Sequence, residues 1–285
     1  MIVKAHAKIN LALNVEGKRE DGYHELDMIM MPLELHDSIE ITVLPPVYLS
    51  HVTCDDFSLE SGKYNLATIA INRMKEYFSI QKSFRIHIHK CIPMSAGLGG
   101  GSANAAAVML AINEVCKLHA TKEQLIEIGK SIGADVPFCL FNQPARARGI
   151  GEKLEIIPCS KERKWNVLIV KPVRGLSTKA VFAELDQTTP SKRADIEQIQ
   201  KALETGDYDI LKDSVGNQLE APAQKLLPEI AVLEESLRAD GADIVQMSGS
   251  GSAVFAMSEN SKKLKKLFQK YDKLGYIVEL TRFKL

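Results

Sequence analysis

The chain has 285 residues, and its 36 lysines and arginines balance 36 aspartates and glutamates, so its formal net charge is +0. That balance argues against a dedicated nucleic-acid-binding protein, because such proteins need a cationic surface to release counterions from phosphates. The length predicts two domains of about 150 residues each, and 45% hydrophobic with 25% charged residues is an ordinary globular composition.

The first residues lack the charged and apolar regions of a signal peptide. The longest strongly apolar stretch, residues 105–112, is far shorter than the ~20 residues that cross a bilayer. The five cysteines are scattered without a C-x-x-C pair, which fits neither a disulfide framework nor a zinc site. We therefore expect a cytoplasmic protein with no membrane partner. A monomer or weak homodimer is a separate expectation that these features do not decide.

The first half alternates strands and helices. Alternating apolar residues over positions 7–15 predict a half-buried strand with Lys8 and Asn10 on its polar face. Further strands are predicted at residues 26–35, 39–44 and 84–89. Apolar spacing, alanine-rich composition and a capping box at Thr121 predict helices at residues 65–78, 102–118 and 121–133.

Pro158 and a charge run lie within residues 153–164, where we place a domain boundary. This gives an N-terminal domain, 1–158, and a C-terminal domain, 159–285. In the latter, strands are predicted at 165–171, 243–248, 253–257 and 276–280, with helices between 178 and 219 and at 228–239 and 261–271. Apart from the extra helices, this order is the β-α-β-β-α-β of a ferredoxin-like unit. The predicted fold class is α+β, in two domains.

A glycine-rich turn precedes the alanine-rich helix, with glycines at positions 97, 99, 100 and 101. Such a backbone can turn its N–H groups toward one point, and the positive end of a helix follows at once, which suits phosphate. No Lys-Ser/Thr follows the glycines, so this is not a Walker A loop, and Ser102 replaces the third glycine of a dinucleotide fingerprint. Glycine destabilises regular structure by about 0.5–1 kcal/mol, which makes a mere linker the weaker interpretation.

A second glycine cluster, residues 248–252, lies between two apolar strands. It does not form the G-x-S-x-G of a hydrolase nucleophile elbow. Two interpretations remain open: a simple hairpin turn, or a second backbone wall of a cleft.

Together these motifs resemble the GHMP kinase superfamily. Residues 93–107 are similar to its central phosphate loop and residues 247–255 to its C-terminal glycine motif. Residues 7–11, 21–26 and 133–137 resemble the branch that acts on a cytidine diphosphate-linked methylerythritol. The resemblance implies a nucleotide-binding α+β domain followed by a ferredoxin-like domain. It also implies phosphorylation of the 2-hydroxyl of that substrate, with ATP and Mg²⁺, in the non-mevalonate isoprenoid route.

The resemblance also implies catalytic roles for Asp135 and Lys8. Asp135 would accept the proton of the attacking hydroxyl, and Lys8 would be its electrostatic partner, keeping the carboxylate ionised and offsetting phosphoryl charge. Without the resemblance, Asp135 is an ordinary loop aspartate and Lys8 an exposed strand lysine.

For the cytidylyl substrate, the resemblance implies that Tyr23 packs on the base and His24 hydrogen-bonds to its edge. Phe182 would complete an aromatic clamp, with Thr178 one helical turn away. Asn10 shares a strand face with Lys8, so both can line one cleft. The alternatives are a Tyr-His pair in a turn and a Phe in the core.

For ATP, the resemblance places Asn65, Leu66 and Lys90 near the adenine. The backbone around the triphosphate would be that of Pro93, Met94, Ser95, Ala96, Gly97, Leu98, Gly99, Gly100, Gly101, Ser102 and Ala103. Asn65 could equally be a helix N-cap. The group that would contact Mg²⁺ stays open.

Two other functions remain alternatives. The first is another GHMP-type kinase, acting on mevalonate, homoserine or a sugar, against which Tyr23 and His24 argue. The second is a catalytically silent nucleotide-binding paralogue, against which the presence of both Lys8 and Asp135 argues.

Overall fold

A computed structural model describes residues 1–56, 65–189 and 191–285. The chain forms two compact units whose segments alternate along the sequence. The first comprises Met1–Ala7, His36–Ile92 and Gly99–Asn142, and the second comprises Lys8–Leu35, Pro93–Leu98 and Gln143–Leu285. The domain division at residue 158 remains a prediction.

Two long strands, β1 (Ile2–Lys18) and β2 (His24–Leu44), contribute residues to both units. In the first unit, the second half of β2 pairs antiparallel with β4 (Ser83–His89), which pairs parallel with β3 (His51–Cys54). The helices of this unit are α1 (Leu66–Tyr77), α2 (Gly100–Val115), α3 (Lys122–Lys130) and α4 (Val136–Phe141).

The alanine-rich helix α2 is central to the core of the first unit. Its residues from Ala103 to Ile112 are buried except Leu110, and they cluster with Met74 of α1 and with Ile86 of β4. Small side chains on this helix let its backbone lie close to its neighbours, which fixes the position of the glycine-rich turn at its N-terminus.

In the second unit, the first half of β2 pairs antiparallel with β5 (Ala145–Gly149), which forms a hairpin with β6 (Lys153–Ile156). Strand β1 pairs parallel with the short β8 (Gly216–Asn217). A separate antiparallel sheet contains β7 (Asn166–Lys171), β9 (Ile244–Met247), β10 (Val254–Met257) and β11 (Ile277–Arg282).

The strand order of that sheet is β11-β7-β10-β9, the order of a ferredoxin-like unit, which confirms the prediction. Its connections hold α5 (Thr178–Leu185), α6 (Ile196–Thr205), α7 (Tyr208–Ser214), α8 (Glu220–Leu226), α9 (Glu229–Ala239) and α10 (Ser261–Lys273). None of the helices in the described residues is long and apolar enough to cross a membrane.

Two strand predictions were wrong. Strand β1 is buried on both faces between Ala7 and Asn14, because its polar face is covered as well as its apolar one. Residues 26–35 and 39–44 form one strand, β2, and not two, because the polar residue between them, Asp37, is fully buried within it.

Candidate active site

The first part of the glycine-rich segment, residues 93–98, packs against the second glycine cluster, residues 248–252, in the second unit. The Ser248 Oγ donates to the Gly97 carbonyl at 3.1 Å. A Cβ on Gly97 would overlap the Ser248 carbonyl oxygen, and its φ of +71° also favours glycine. The second cluster therefore supports the first loop, in addition to turning the chain between β9 and β10.

The backbone of the loop takes positive φ at every second residue: 49° at Ser95, 71° at Gly97 and 68° at Gly99. Alternation of right- and left-handed residues is the pattern of anion-binding nests, in which successive N–H groups converge. Of these three residues, only Ser95 is not a glycine, and a residue with a side chain rarely adopts positive φ. Backbone strain of this kind is concentrated at functional sites.

Lys8 is buried beside this loop and is not an exposed lysine of a polar strand face. It is 4% exposed, its N–H donates to the Leu98 carbonyl, and its ammonium donates to Asn10 Oδ1 at 2.7 Å. A Cβ on Gly249 would lie 3.3 Å from Lys8 Nζ. The second unit thus brings together both predicted polar residues of β1, residues 93–98 of the first loop and the second glycine cluster.

In the first unit, helix α2 begins at Gly100, two residues before the predicted start. Its N-cap is Gly99, which supplies no side-chain acceptor, and its first turn holds no acidic residue. The N-terminal N–H groups and the positive dipole end of a helix of 16 residues are therefore available to an anion.

The ammonium of Lys90 is held by protein groups. It donates to Asp37 Oδ2 at 2.7 Å and to the Ile92 carbonyl at 2.8 Å, and its side chain is 7% exposed. Asp37 also accepts from the Cys91 and Ile92 N–H groups and from Asn104 Nδ2. This buried carboxylate ties residues 90–92, which precede the glycine-rich segment, to β2 and α2, while contact of Lys90 with adenine stays a prediction.

Asp135 is half-buried at the N-cap of α4, a helix that the sequence analysis missed. Its side chain does not cap the helix, and the Val136 N–H donates instead to the Gly133 carbonyl at 3.1 Å. A Cβ on Gly133 would lie 3.8 Å from Ser102 Oγ. The turn that carries Asp135 therefore lies beside the first turn of α2 in the first unit.

Asn65 is the N-cap of α1, since its side chain accepts from the Ala67 N–H at 2.9 Å. Leu66 follows, and its side chain lies 3.5 Å from a Cβ built on Gly101. Of the three residues predicted near the adenine, Leu66 thus lies against the glycine-rich turn within the first unit, and Asn65 precedes it in the chain.

The predicted pyrimidine residues all belong to the second unit, and two of them are in contact. The rings of His24 and Phe182 stack with centroids 5.1 Å apart and planes at 26°. Tyr23 is 60% exposed, and Thr178 Oγ1 lies 2.8 Å from Ser250 Oγ, which joins α5 to the second glycine cluster. Phe182 therefore contacts His24 and is not solely a core residue.

Comparisons with known proteins identify the family of the chain. The sequence matches the family described as GHMP kinases N terminal domain over residues 65–143, and GHMP kinases C terminal over residues 199–277. It is 42% identical to the 4-diphosphocytidyl-2-C-methyl-D-erythritol kinase of Caldicellulosiruptor bescii over 260 residues, 91% of this chain and 90% of that protein. The protein of the same name from Clostridium acetobutylicum is 37% identical over 285 residues, 99% of each chain.

The chain belongs to the 4-diphosphocytidyl-2-C-methyl-D-erythritol kinase family. Membership confirms the resemblance, the two-domain GHMP kinase fold and the prediction of an ATP-dependent small-molecule kinase. A crystal structure of 4-(cytidine 5'-diphospho)-2C-methyl-D-erythritol kinase has a TM-score of 0.83 and 31% identity, covering all of both chains. The homoserine kinase from Cytophaga hutchinsonii, with a TM-score of 0.73 and 17% identity, shares the fold.

Two residues beside the predicted sites of this kinase were missed by the sequence analysis. Asp37 lies in a polar run that is typical of a strand end, and its burial depends on partners 53 to 67 positions away. Asp186 ends α5 and contacts His24, 162 positions distant. The one sequence feature that could have indicated Asp186 was its spacing of four residues from Phe182, which places both residues on one helix face.

Proposed function

We propose that this kinase transfers the γ-phosphate of ATP to the 2-hydroxyl of 4-diphosphocytidyl-2-C-methyl-D-erythritol, giving the 2-phosphate and ADP in the non-mevalonate isoprenoid route. Relatives with that name match over 90% or more of their length, which supports the proposal. The structural observation that supports this proposal most directly is the stacking of the His24 ring on the Phe182 ring. An aromatic face beside a polar ring edge is what selects a pyrimidine, by stacking and edge hydrogen bonds.

The chemical step needs a base and phosphate-holding groups. The substrate oxygen forms a bond to the γ-phosphorus as the bond from that phosphorus to the ADP oxygen breaks, and the hydroxyl proton passes to the Asp135 carboxylate. Backbone N–H groups of residues 94–103 would hold the triphosphate. Lys8, kept in place by Asn10, would offset charge on the transferring group. Its pairing with Asp135 remains a prediction from the resemblance.

We propose Mg²⁺ as the accompanying cation. Among the described residues there is no group of three or more His, Cys, Asp or Glu side chains that could hold a metal. Mg²⁺ bound with nucleotide phosphates needs only one or two protein carboxylates, so the Asp135 carboxylate fits, together with the Ser102 hydroxyl that lies beside Gly133. When bound, the ion would supply neutralisation of the phosphate charge.

Substrate choice is tested by ADP release with three acceptors: the cytidylyl substrate, mevalonate and homoserine. We expect turnover with the first alone. Preference for either of the others would make the chain a different GHMP-type kinase. Tight ATP binding by calorimetry with no transfer to any acceptor would make it a silent paralogue.

The residue roles are tested by Asp135→Asn and Lys8→Ala. Removing a general base costs about 10²–10⁴-fold in rate, so we expect Asp135→Asn to lower kcat by that factor with ATP still bound. The matched controls, Asp272→Asn and Lys262→Ala, change exposed residues of α10 and should keep full activity. Full turnover by Asp135→Asn would contradict the proposed role of Asp135 as the base.

We also propose that the enzyme acts in the cytoplasm as a monomer or weak homodimer. Light scattering at assay concentration measures the mass directly, and a stable higher oligomer would contradict this expectation.

A further inference from the structure

Three side chains from separate elements meet behind the pyrimidine site of the second unit. His24 begins β2, Asp186 follows the last residue of α5, and Lys18 ends β1. His24 Nε2 lies 3.0 Å from Asp186 Oδ1, and Lys18 Nζ lies 2.5 Å from Asp186 Oδ2. The His24 side chain is 8% exposed, so its ring is held by these contacts and by the stack on Phe182.

The charge on Asp186 decides which nitrogen of His24 carries the proton. Hydrogen bonds from Lys18 and then from His24 lower the pKa of the Asp186 carboxyl below its ordinary value. An ionised carboxylate can only accept, so the His24 Nε2 must be the donor. In a neutral imidazole, Nδ1 is then an acceptor. Within the described residues, no hydrogen bond reaches that nitrogen.

An acceptor at this position separates the two common pyrimidines. Cytosine carries an amino donor at C4, where uracil carries a carbonyl acceptor. The Nδ1 lone pair can take a hydrogen bond from the cytosine amino group, whereas it faces the uracil oxygen with no proton between them. A polar group left unpaired in this way costs more than the bond itself contributes.

Resting on the proposed function, we propose that Asp186 is a positioning residue: it fixes His24 as the Nε2–H tautomer, so that Nδ1 selects cytidine over uridine. Asp186 contacts the imidazole at Nε2, the nitrogen opposite Nδ1. Its effect on the substrate therefore passes through the proton position and orientation of His24.

The specificity test uses Asp186→Ala with the cytidylyl substrate and its uridine analogue at pH 8. We expect kcat/KM for the cytidylyl substrate to fall roughly tenfold, mainly through KM, with little change for the analogue. Asp186→Asn keeps an oxygen acceptor and should restore part of the discrimination. The matched control, Glu184→Ala, removes another paired carboxylate from α5 and should behave as wild type.

The tautomer is measured independently by ¹⁵N NMR of histidine-labelled protein, with His24 assigned from its loss in His24→Gln. We expect a proton on Nε2 alone in the wild type and a mixture with Nδ1–H in Asp186→Ala. An Nδ1–H tautomer in the wild type, or an unchanged cytidine-to-uridine ratio in Asp186→Ala, would overturn the inference. A wild type inactive on both nucleotides would instead overturn the proposed function, while the spectrum still decides the role of Asp186.

Discussion

Gly97 is the residue at which the two glycine clusters meet most closely. Its φ is +71°, and any Cβ would overlap the Ser248 carbonyl oxygen. Gly97→Ala must therefore move one of the two backbones, in addition to the cost of about 1–2 kcal/mol for a left-handed alanine. We expect kcat/KM for ATP to fall by more than tenfold, measured by ADP release.

Gly275→Ala is the matched control for Gly97→Ala. Gly275 has a φ of +85° but nothing within 4 Å of a built Cβ, so it carries the same backbone cost without a collision. It should lower the melting temperature slightly and leave activity unchanged. Equal activity of the two variants would show that the contact with Ser248 does not shape the phosphate loop.

Asp37 is a second residue whose substitution should have a large effect, here on the free energy of unfolding. It is 0% exposed and accepts from four donors, among them the Lys90 ammonium and the Asn104 amide. Asp37→Ala would leave a buried ammonium without its anion, and breaking a buried ion pair costs about 3–5 kcal/mol. Urea unfolding should show a loss of that size.

Asp55→Ala is the control for Asp37→Ala. Asp55 accepts from the Lys90 backbone N–H, yet its side chain is 46% exposed, so water can replace the lost bond. We expect a change below about 1 kcal/mol. A similar small loss for Asp37→Ala would mean that the buried carboxylate does not anchor residues 90–92.

Residue types in the sequence were enough to predict part of the candidate site, but not all of it. The glycine cluster predicts phosphate binding by itself, because only a backbone requirement explains four glycines before a helix. Period-2 spacing correctly paired Lys8 with Asn10. The roles of Asp37 and Asp186 could not be predicted from the sequence, because each carboxylate depends on partners that the fold brings from distant positions.

At the scale of elements, prediction succeeded where a local signal existed. The capping box at Thr121 is present at the start of α3, and strand β4 follows its alternating pattern. The hairpin of β5 and β6 and the short helices α4 and α8 were missed. Short helices carry too few turns for an apolar stripe, so packing rather than propensity forms them.

Helices α8 and α9 enclose a pair of carboxyl groups, which makes the stability of this region depend on pH. Burial, and then a hydrogen bond with Glu234, raise the pKa of Glu220 well above its ordinary value of 4.5. A raised folded-state pKa gives stability that is full below the ordinary value and is lost as pH rises toward the raised one. The free energy of unfolding should therefore fall between pH 5 and pH 9, with a slope of up to about 1.4 kcal/mol per unit.

Glu220→Gln removes that titration while keeping a hydrogen-bond donor for Glu234. We expect its unfolding free energy to change less with pH than that of the wild type, and to exceed it by a margin that grows from pH 5 to pH 9. Glu235→Gln, at an exposed position of α9, should follow the wild-type profile. Parallel curves for Glu220→Gln and wild type would show that Glu220 keeps an ordinary pKa.

At the scale of the whole molecule, a net charge of +0 leaves no general attraction for two polyanionic substrates. Their binding must depend on local groups, namely the glycine-loop N–H groups, the first turn of α2 and a few buried cations such as Lys8. These groups exist together only in the folded chain, so each ligand should stabilise folding by mass action.

A ligand at 100 times its Kd adds about 2.7 kcal/mol to the free energy of unfolding. For a chain of this size, that raises the melting temperature by about 5–10 °C. We expect such a shift in scanning calorimetry with a non-hydrolysable ATP analogue, and a similar shift with the cytidylyl substrate. The uridine analogue at the same concentration should give a smaller shift, because His24 would reject its base. Equal shifts with both pyrimidines would place the recognition of this substrate in its diphosphate and methylerythritol, and not in the base.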